Sequence, residues 1–324
     1  MRRKAESGEG AGPADVTAGG SRLGISPCNL CPRECGVDRV AGQMGYCLTD
    51  HRVFVARAAL HMWEEPCISG EKGSGTVFFS GCSLRCVYCQ NYEIAAGSRG
   101  KEVSAGRLSE IFLELQEKGA ANINLVTPDH YLTVVAQAVD LAKQRGLILP
   151  VVYNGSGYEK PEAIAYLSGI VDVFLTDFKY MDEGLAERFS KAPDYPEVAK
   201  KALAKMVEIT GAPSFDEDGM MKRGVIVRHL LLPGHKKNAK DVIRYVYETY
   251  ENRVFLSLMN QFTPLEERLR DAGCGELCRK VTKREYEMVV DYAIRLGVEN
   301  AYIQQGDTAR ESFIPEFDEN KNFR

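Results

Sequence analysis

Cys82, Cys86 and Cys89 stand at Cys-x3-Cys-x2-Cys spacing in the run Gly81-Cys82-Ser83-Leu84-Arg85-Cys86-Val87-Tyr88-Cys89-Gln90-Asn91. Three thiolates so close in the chain cannot all pair with one another as disulfides, but they can all ligate one metal centre. A [4Fe–4S] cube has four irons and normally takes four cysteines. Three local ligands leave one iron open to a ligand that is not cysteine. That open corner is where chemistry is expected.

A second thiol group lies upstream. Cys28, Cys31, Cys35 and Cys47 follow Cys-x2-Cys-x3-Cys-x11-Cys, with Gly36, Gly42 and Gly45 between the last two. Four thiolates on tight turns suit either a structural Zn²⁺ or a fully ligated Fe–S cluster, and the spacing does not separate the two. The chain has ten cysteines, eight of them between positions 28 and 89. A secreted disulfide scaffold is the alternative, but such scaffolds are usually short and lack a large core. Metal ligation in a reducing compartment is the better reading. Cys67, after Pro66, reads as a buried free thiol. Cys274 and Cys278 are too few for a cluster and read as incidental.

The 324 residues allow one large domain or two small ones. Apolar residues at 44% and charged residues at 27% are ordinary for a globular chain, and a net charge of -4 gives no electrostatic reason to expect nucleic acid. No run approaches the roughly 18 apolar residues that span a bilayer, and no secretory h-region is visible. A cytoplasmic protein with no membrane partner is therefore expected. Residues 1–24, rich in Gly, Ala, Ser and charge, read as a disordered tail. Residues 25–71 read as a small cysteine-rich metal-binding module, 72–315 as the catalytic core and 316–324 as a C-terminal tail. His61 and Trp63 read as packing the module on the core.

From residue 76 short apolar strands alternate with amphipathic helices. Strands are expected at 76–79, 122–126, 149–153, 171–176, 224–231, 254–258 and 301–304. Helices are expected at 107–118, 132–145, 161–167, 196–209, 240–250 and 284–296, and 212–222 reads as a loop. In 107–118, for example, Leu108, Ile111, Phe112 and Leu115 fall at i, i+3, i+4 and i+7. A βα unit repeated about six times predicts a parallel α/β sheet curled into a full or partial barrel. Chemistry in such barrels sits at the C-terminal strand ends. The polar residues at those ends are, in order, the three cysteines; Thr127, Asp129 and His130; Asn154, Ser156 and Tyr158; Asp177 and Lys179; Arg228 and His229; and Asn260, Gln261 and Thr263. Their recurrence after successive strands points to a shared site.

Cys-x3-Cys-x-aromatic-Cys after the first strand of a βα repeat resembles the radical S-adenosylmethionine (SAM) superfamily, over roughly residues 72–315. Within it the chain is similar to the pyruvate formate-lyase activating-enzyme branch. It looks closest to a subgroup of activase-like proteins with an N-terminal cysteine module. Cys31-Pro32-Arg33-Glu34-Cys35, Cys89-Gln90-Asn91 and Glu311-Ser312-Phe313-Ile314-Pro315 carry that likeness. The resemblance implies a partial (β/α)6 TIM-like barrel, a [4Fe–4S] cluster on Cys82, Cys86 and Cys89, and SAM on the open iron. One electron then breaks the S–C5′ bond, and a 5′-deoxyadenosyl radical abstracts hydrogen from a substrate. Fe–S potentials reach about -700 mV, so a strongly reducing cluster is physically available. A low-potential donor such as flavodoxin or ferredoxin is implied, with a glycyl radical enzyme as the protein substrate.

Residue by residue, Tyr88 matches the aromatic that supports adenine, and Asn154 lies in a third-strand turn that runs past SAM. Asp177 and Lys179 resemble the Asp-x-Lys near SAM and its carboxylate, and Arg228 a fifth-strand arginine facing SAM. An arginine fork suits a carboxylate. Two features depart from the pattern. Val126-Thr127-Pro128-Asp129-His130 replaces the usual Gly-Gly-Glu, leaving Asp129 to supply a carboxylate. Asn260-Gln261 stands where a sixth-strand histidine is usual. These departures leave two alternatives open: a radical enzyme acting on a small molecule or peptide, and an electron-transfer or structural Fe–S protein.

Overall fold

Parallel strands that are apolar on both faces need cover on both sides. The chain supplies it with helices outside and a buried plug inside. The computed structural model of the protein describes residues 15–18, 21–97 and 99–304. The strands are β1 (Asp15–Ala18), β2 (Ser21–Gly24), β3 (Val53–His61), β4 (Ser74–Phe79), β5 (Lys101–Val103), β6 (Ile123–Val126), β7 (Val151–Gly155), β8 (Val173–Asp177), β9 (Ser214–Phe215), β10 (Met221–Leu230), β11 (Phe255–Met259) and β12 (Ala301–Ile303). The helices are α1 (Pro66–Ser69), α2 (Tyr92–Ala95), α3 (Ala105–Glu117), α4 (Leu132–Gln144), α5 (Pro161–Tyr166), α6 (Glu183–Ser190), α7 (Tyr195–Thr210), α8 (Lys236–Tyr250), α9 (Glu266–Asp271) and α10 (Lys283–Leu296).

One sheet runs β5-β3-β4-β6-β7-β8-β10-β11-β12, with β9 paired to β10. From β4 to β12 neighbouring strands are parallel. β3 is antiparallel to both β4 and β5. Each βα step moves one strand along, and among the described residues the path ends at β12 without returning to β5. This is the α/β partial barrel that the alternation demanded. The helices form where the pattern placed them, and for the expected reasons. Ser104 caps α3 by accepting the Arg107 N–H, and Leu108, Ile111, Phe112 and Leu115 are its buried stripe. Thr282 and Glu285 form a reciprocal capping box on α10.

The interior is filled from within. After β3 the chain turns into the barrel, where Cys67 and Ile68 of α1 pack against Val152, Val173, Leu175 and Ile226. The Asn122 side chain donates to Ile68 O at 2.7 Å, and Ser74 Oγ donates to Asn122 Oδ1 at 2.6 Å. Ser74 and Asn122 mark the N-terminal strand ends, so the plug shuts that end and leaves the other open. Cys67 is the buried free thiol expected; burial pushes it up to about 11.

Three sequence expectations need correction. A boundary at 71/72 would cut through paired β3 and β4. Cys28 and Leu30 belong to the same core cluster as Leu84 and Tyr88, so the cysteine segment shares the barrel's core. Residues 15–18 and 21–24 of the supposed tail pair as a hairpin, and Leu23 is buried. The 212–222 stretch is not only loop, because it holds β9 and its antiparallel pairing with β10. The 311–315 motif and the 316–324 tail lie outside the described residues.

Candidate active site

The cysteine loop is shaped by backbone that few residues tolerate. Gly81 has φ +91°, and a Cβ there would lie 2.5 Å from Thr49 Cγ2 and 2.8 Å from Cys47 O, so only glycine fits. Arg85 is left-handed at φ +52°, which turns the chain back on itself. Cys82 Sγ accepts the N–H groups of Leu84 and Arg85, each at 3.4 Å, and Ser190 Oγ donates to Cys86 Sγ at 3.1 Å. All three are free thiols. Burial pushes the Cys82 thiol far up, with Asp129 and Cys89 adding to it; burial and then Cys86 take Cys89 up to about 11. Without a metal Cys82 and Cys89 therefore keep their protons, and loading a metal centre releases them.

These three sulfurs fit a cube. They are unpaired, they sit on one tight loop, and N–H or O–H donors aim at two of them. Among the described residues no three His, Cys, Asp or Glu side chains converge on a single ion. A cube spreads its cysteines over different irons and needs no such convergence.

The loop walls a cavity of about 240 Å³ at the open end of the barrel. Cys82, Cys86, Tyr88 and Cys89 line one side; Asn154, Asp177, Lys179 and Arg228 line the other. Phe78, Leu84, Val126 and Leu230 supply apolar wall. A wider hollow of about 660 Å³ beside Tyr92 and Arg268 is more open and lacks the thiols.

Arg228 is the hub of the polar side. Its Nε donates to Asp177 Oδ1 at 3.1 Å, Nη2 to Asn154 Oδ1 at 2.5 Å and Nη1 to Glu64 Oε2 at 3.3 Å. Lys179 Nζ donates to Asp177 Oδ2 at 2.5 Å. Burial alone would raise the Asp177 carboxyl, but Lys179 and Arg228 outweigh it and hold it below the usual range. Burial raises Glu64 and Glu65, with Arg228 offsetting part of the effect in each. Three carboxyls thus share two cations in a low-dielectric pocket.

Glu64 escaped the sequence reading. It rises from the plug into the cavity floor, where its Oε1 accepts from Asn124 at 2.9 Å and from Asn154 at 3.3 Å. His61, expected to pack the module, also lines the cavity, edge-on to Phe78, and burial takes it down to about 4. Trp63, expected to do the same, is 57% exposed.

Of the strand-end residues, Thr127, Ser156 and Gln261 also reach the cavity. Asp129 does not line it. It is buried on a short helical turn, 3.4 Å from His130 Nδ1, and its charge acts on Cys82 and Cys31. His130 and His229 are spent on main-chain partners, Ser80 O and Phe178 O, each at 2.7 Å. The Tyr158 hydroxyl binds Asp194. Thr127 takes φ +56°, the conformation a glycine would supply in the usual Gly-Gly-Glu turn. A β-branched residue there is strained. The Tyr88 hydroxyl accepts from Tyr180 at 2.8 Å, and its ring packs on Phe189 and Phe262.

Glu159, just behind the third strand, makes a pH prediction. Its Oε1 accepts the Ser156 N–H at 3.0 Å, and its Oε2 is buried without a partner. Burial, then Asp129, raises its carboxyl from 4.5 to about 8. Below 4.5 both folded and unfolded chains hold the proton, and stability is unaffected. Between there and 8 only the folded chain holds it, so stability falls as pH rises, by on the order of 3–5 kcal/mol in total. Glu159→Gln should abolish that fall. The Tm gap between variant and wild type should widen from pH 5 to 8 and then level off; parallel pH profiles would refute the assignment.

With this geometry in place, the comparisons are specific. Residues 76–246 match the radical SAM superfamily. An uncharacterised protein of Methanocaldococcus jannaschii is 27% identical over 288 residues, 85% of this chain and 76% of that one. The pyruvate formate-lyase-activating enzyme of Clostridium pasteurianum is 28% identical over 116 residues, 33% of this chain and 46% of the enzyme. A radical SAM methyltransferase from Sphaerobacter thermophilus aligns with a TM-score of 0.46 at 12% identity, covering 71% of this chain and 66% of that one. Streptococcus suis SuiB bound to S-adenosylmethionine aligns with a TM-score of 0.46 at 12% identity, covering 71% of this chain and 50% of SuiB.

Proposed function

The chain belongs to the radical SAM superfamily, and we propose that it cleaves SAM reductively and abstracts hydrogen from a protein substrate, with a glycine of a glycyl radical enzyme as first candidate. The observation that carries this reading is the single cavity shared by the three cysteines and the Asp177–Lys179–Arg228 network. Cys82, Cys86 and Cys89 would hold a [4Fe–4S] cluster, whose chemistry is one-electron reduction of the SAM sulfonium to give a hydrogen-abstracting 5′-deoxyadenosyl radical. Arg228 and Lys179 offer cationic donors for the SAM carboxylate, and Arg228 does so with a planar fork. Glu64 and Asp177 are the carboxylates available to its amino group, in place of the missing Gly-Gly-Glu. Tyr88, wedged by Phe189 and Phe262, backs the adenine. The apolar wall keeps water from a reactive radical.

A protein substrate is supported by the partial likeness to an activating enzyme, and among the described residues β12 and β5 do not pair to close the sheet. The strained Thr127 turn and Asn260-Gln261, where that branch carries Gly-Gly-Glu and a histidine, favour the second reading, a small molecule or peptide. The test is anaerobic reconstitution with iron and sulfide, reduction, and addition of SAM. 5′-Deoxyadenosine is the expected product, and its absence from fully loaded protein would overturn both readings in favour of an electron-transfer or structural role. Deuterium passing from a glycine-labelled partner into 5′-deoxyadenosine separates the first reading from the second.

A further inference from the structure

We propose that Cys28, Cys31, Cys35 and Cys47 hold an iron–sulfur cluster that relays the electron to the Cys82–Cys86–Cys89 site. The inference rests on the reading of that site as a SAM-cleaving centre. Local backbone bonds fold the segment back on itself: Cys28 N–H donates to Val37 O at 2.9 Å, and Gly36 N–H to Cys28 O at 3.0 Å. Cys35 and Cys47 converge on one glycine; a Cβ at Gly45 would lie 3.1 and 3.4 Å from their sulfurs.

A buried cation beside them asks for an anion. The Arg39 side chain is 1% exposed. It donates to Asp50 O at 3.0 Å, His130 O at 2.7 Å and Thr49 Oγ1 at 3.1 Å, and it also reaches the Cys28 thiol. Carbonyls and a hydroxyl orient a guanidinium without neutralising it, and a buried unpaired charge is costly. Four thiolates around a cluster carry net negative charge and supply the missing counter-ion.

The two thiol groups touch. Cys82 N–H donates to Cys47 O at 3.3 Å, and Arg33, two residues past Cys31, donates to Ser83 O at 2.9 Å. Arg33 also stacks on Tyr46, 4.0 Å from the ring centre, and Arg85 of the second loop lies over the same ring at 5.2 Å. Exposure runs in one direction: Cys35 is exposed, whereas Cys28 and Cys47 are buried, Cys47 with its carbonyl on the Cys82 N–H. An electron entering at the surface therefore leaves beside Cys82. A reduced flavodoxin- or ferredoxin-class protein gives one electron to the N-terminal cluster, which passes one on and returns to its oxidised state; no bond or proton moves. Zn²⁺ would satisfy the same charge but has no redox chemistry.

The first test uses full-length protein with Cys82, Cys86 and Cys89 all changed to Ala. It should keep about two to four iron and sulfide per chain and a reduced-state EPR signal that SAM does not alter. Zinc, or no metal, would overturn the proposal, and this result does not depend on SAM cleavage. The second test compares reductants in a Cys28→Ser, Cys31→Ser variant. Dithionite, small enough to reduce the SAM site directly, should support 5′-deoxyadenosine formation within about threefold of wild type, while flavodoxin-driven formation should fall at least tenfold. Equal loss with both reductants, or loss with neither, would overturn the relay.

Discussion

A Cys86→Ala variant is expected to lose SAM cleavage altogether, with 5′-deoxyadenosine formation falling by at least about 10³-fold. Cys86 is the buried member of the three thiols and receives the Ser190 hydroxyl at 3.1 Å. Two remaining cysteines cannot retain a cube that already lacks one protein ligand. The fold should survive, because the loop is anchored independently of the sulfur. Val87 N–H donates to Phe189 O at 2.8 Å, Arg33 holds Ser83 O, and Leu84 is fully buried in the main core. Far-UV circular dichroism should be unchanged while the SAM-responsive EPR signal disappears. A Cys86→Ala protein that still makes 5′-deoxyadenosine at the wild-type rate would sink the ligand assignment. Ser190→Ala removes one hydrogen bond to the Cys86 sulfur and one shared with the Tyr180 hydroxyl, and should leave cleavage within about tenfold of wild type.

The contrast between Cys86 and Glu64 explains what the sequence could disclose. Cys82, Cys86 and Cys89 are neighbours in the chain, so their shared chemistry needed no fold to be read. Arg228 is 51 residues from Asp177, yet Asp177 with Lys179 and Arg228 each come at the C-terminal end of an apolar strand in a repeat, and the barrel rule brings such positions to one rim. Glu64 obeys neither rule. It precedes the cysteine loop, on a segment that follows an antiparallel strand with no βα partner. Its neighbours Cys67 and the upstream thiols drew the whole stretch into a supposed separate module. The packing of Cys67 and Ile68 against Val152, Val173, Leu175 and Ile226 is what places the segment inside the barrel. Asp129 is the converse case. Sequence position put it on the rim, but the helical turn after Pro128 rotates its carboxyl toward His130 and the thiols. Thr127, just before that turn, is left-handed, a backbone conformation that no side-chain pattern announces.

Arg228→Ala should be the most destabilising change in the cavity, and Arg228→Lys the most informative. The side chain is 15% exposed and faces Glu64, at 9%, and Asp177, at 17%. Removing it strips the buried carboxyls of their largest cation and leaves Lys179 alone against Asp177, Glu64 and Glu65. Breaking a buried pair in this way costs about 3–5 kcal/mol. The cost has a pH signature. Burial raises Glu64 and Glu65 even with Arg228 present, and losing the cation raises them further. A raised carboxyl weakens the fold as pH climbs above its unfolded value, because only the unfolded chain then gives up the proton freely. The Tm deficit of Arg228→Ala should therefore be smaller at pH 5 than at pH 8, and a deficit independent of pH would contradict the burial argument. Lysine restores the charge and should recover much of the Tm. It cannot donate to Asp177, Asn154 and Glu64 at once from a planar fork, nor offer that fork to a carboxylate. SAM affinity in Arg228→Lys should fall about tenfold, near 1.4 kcal/mol, by calorimetry on reconstituted protein. Unchanged SAM affinity in a stable Arg228→Lys protein would mean that the arginine serves the barrel floor and not the ligand.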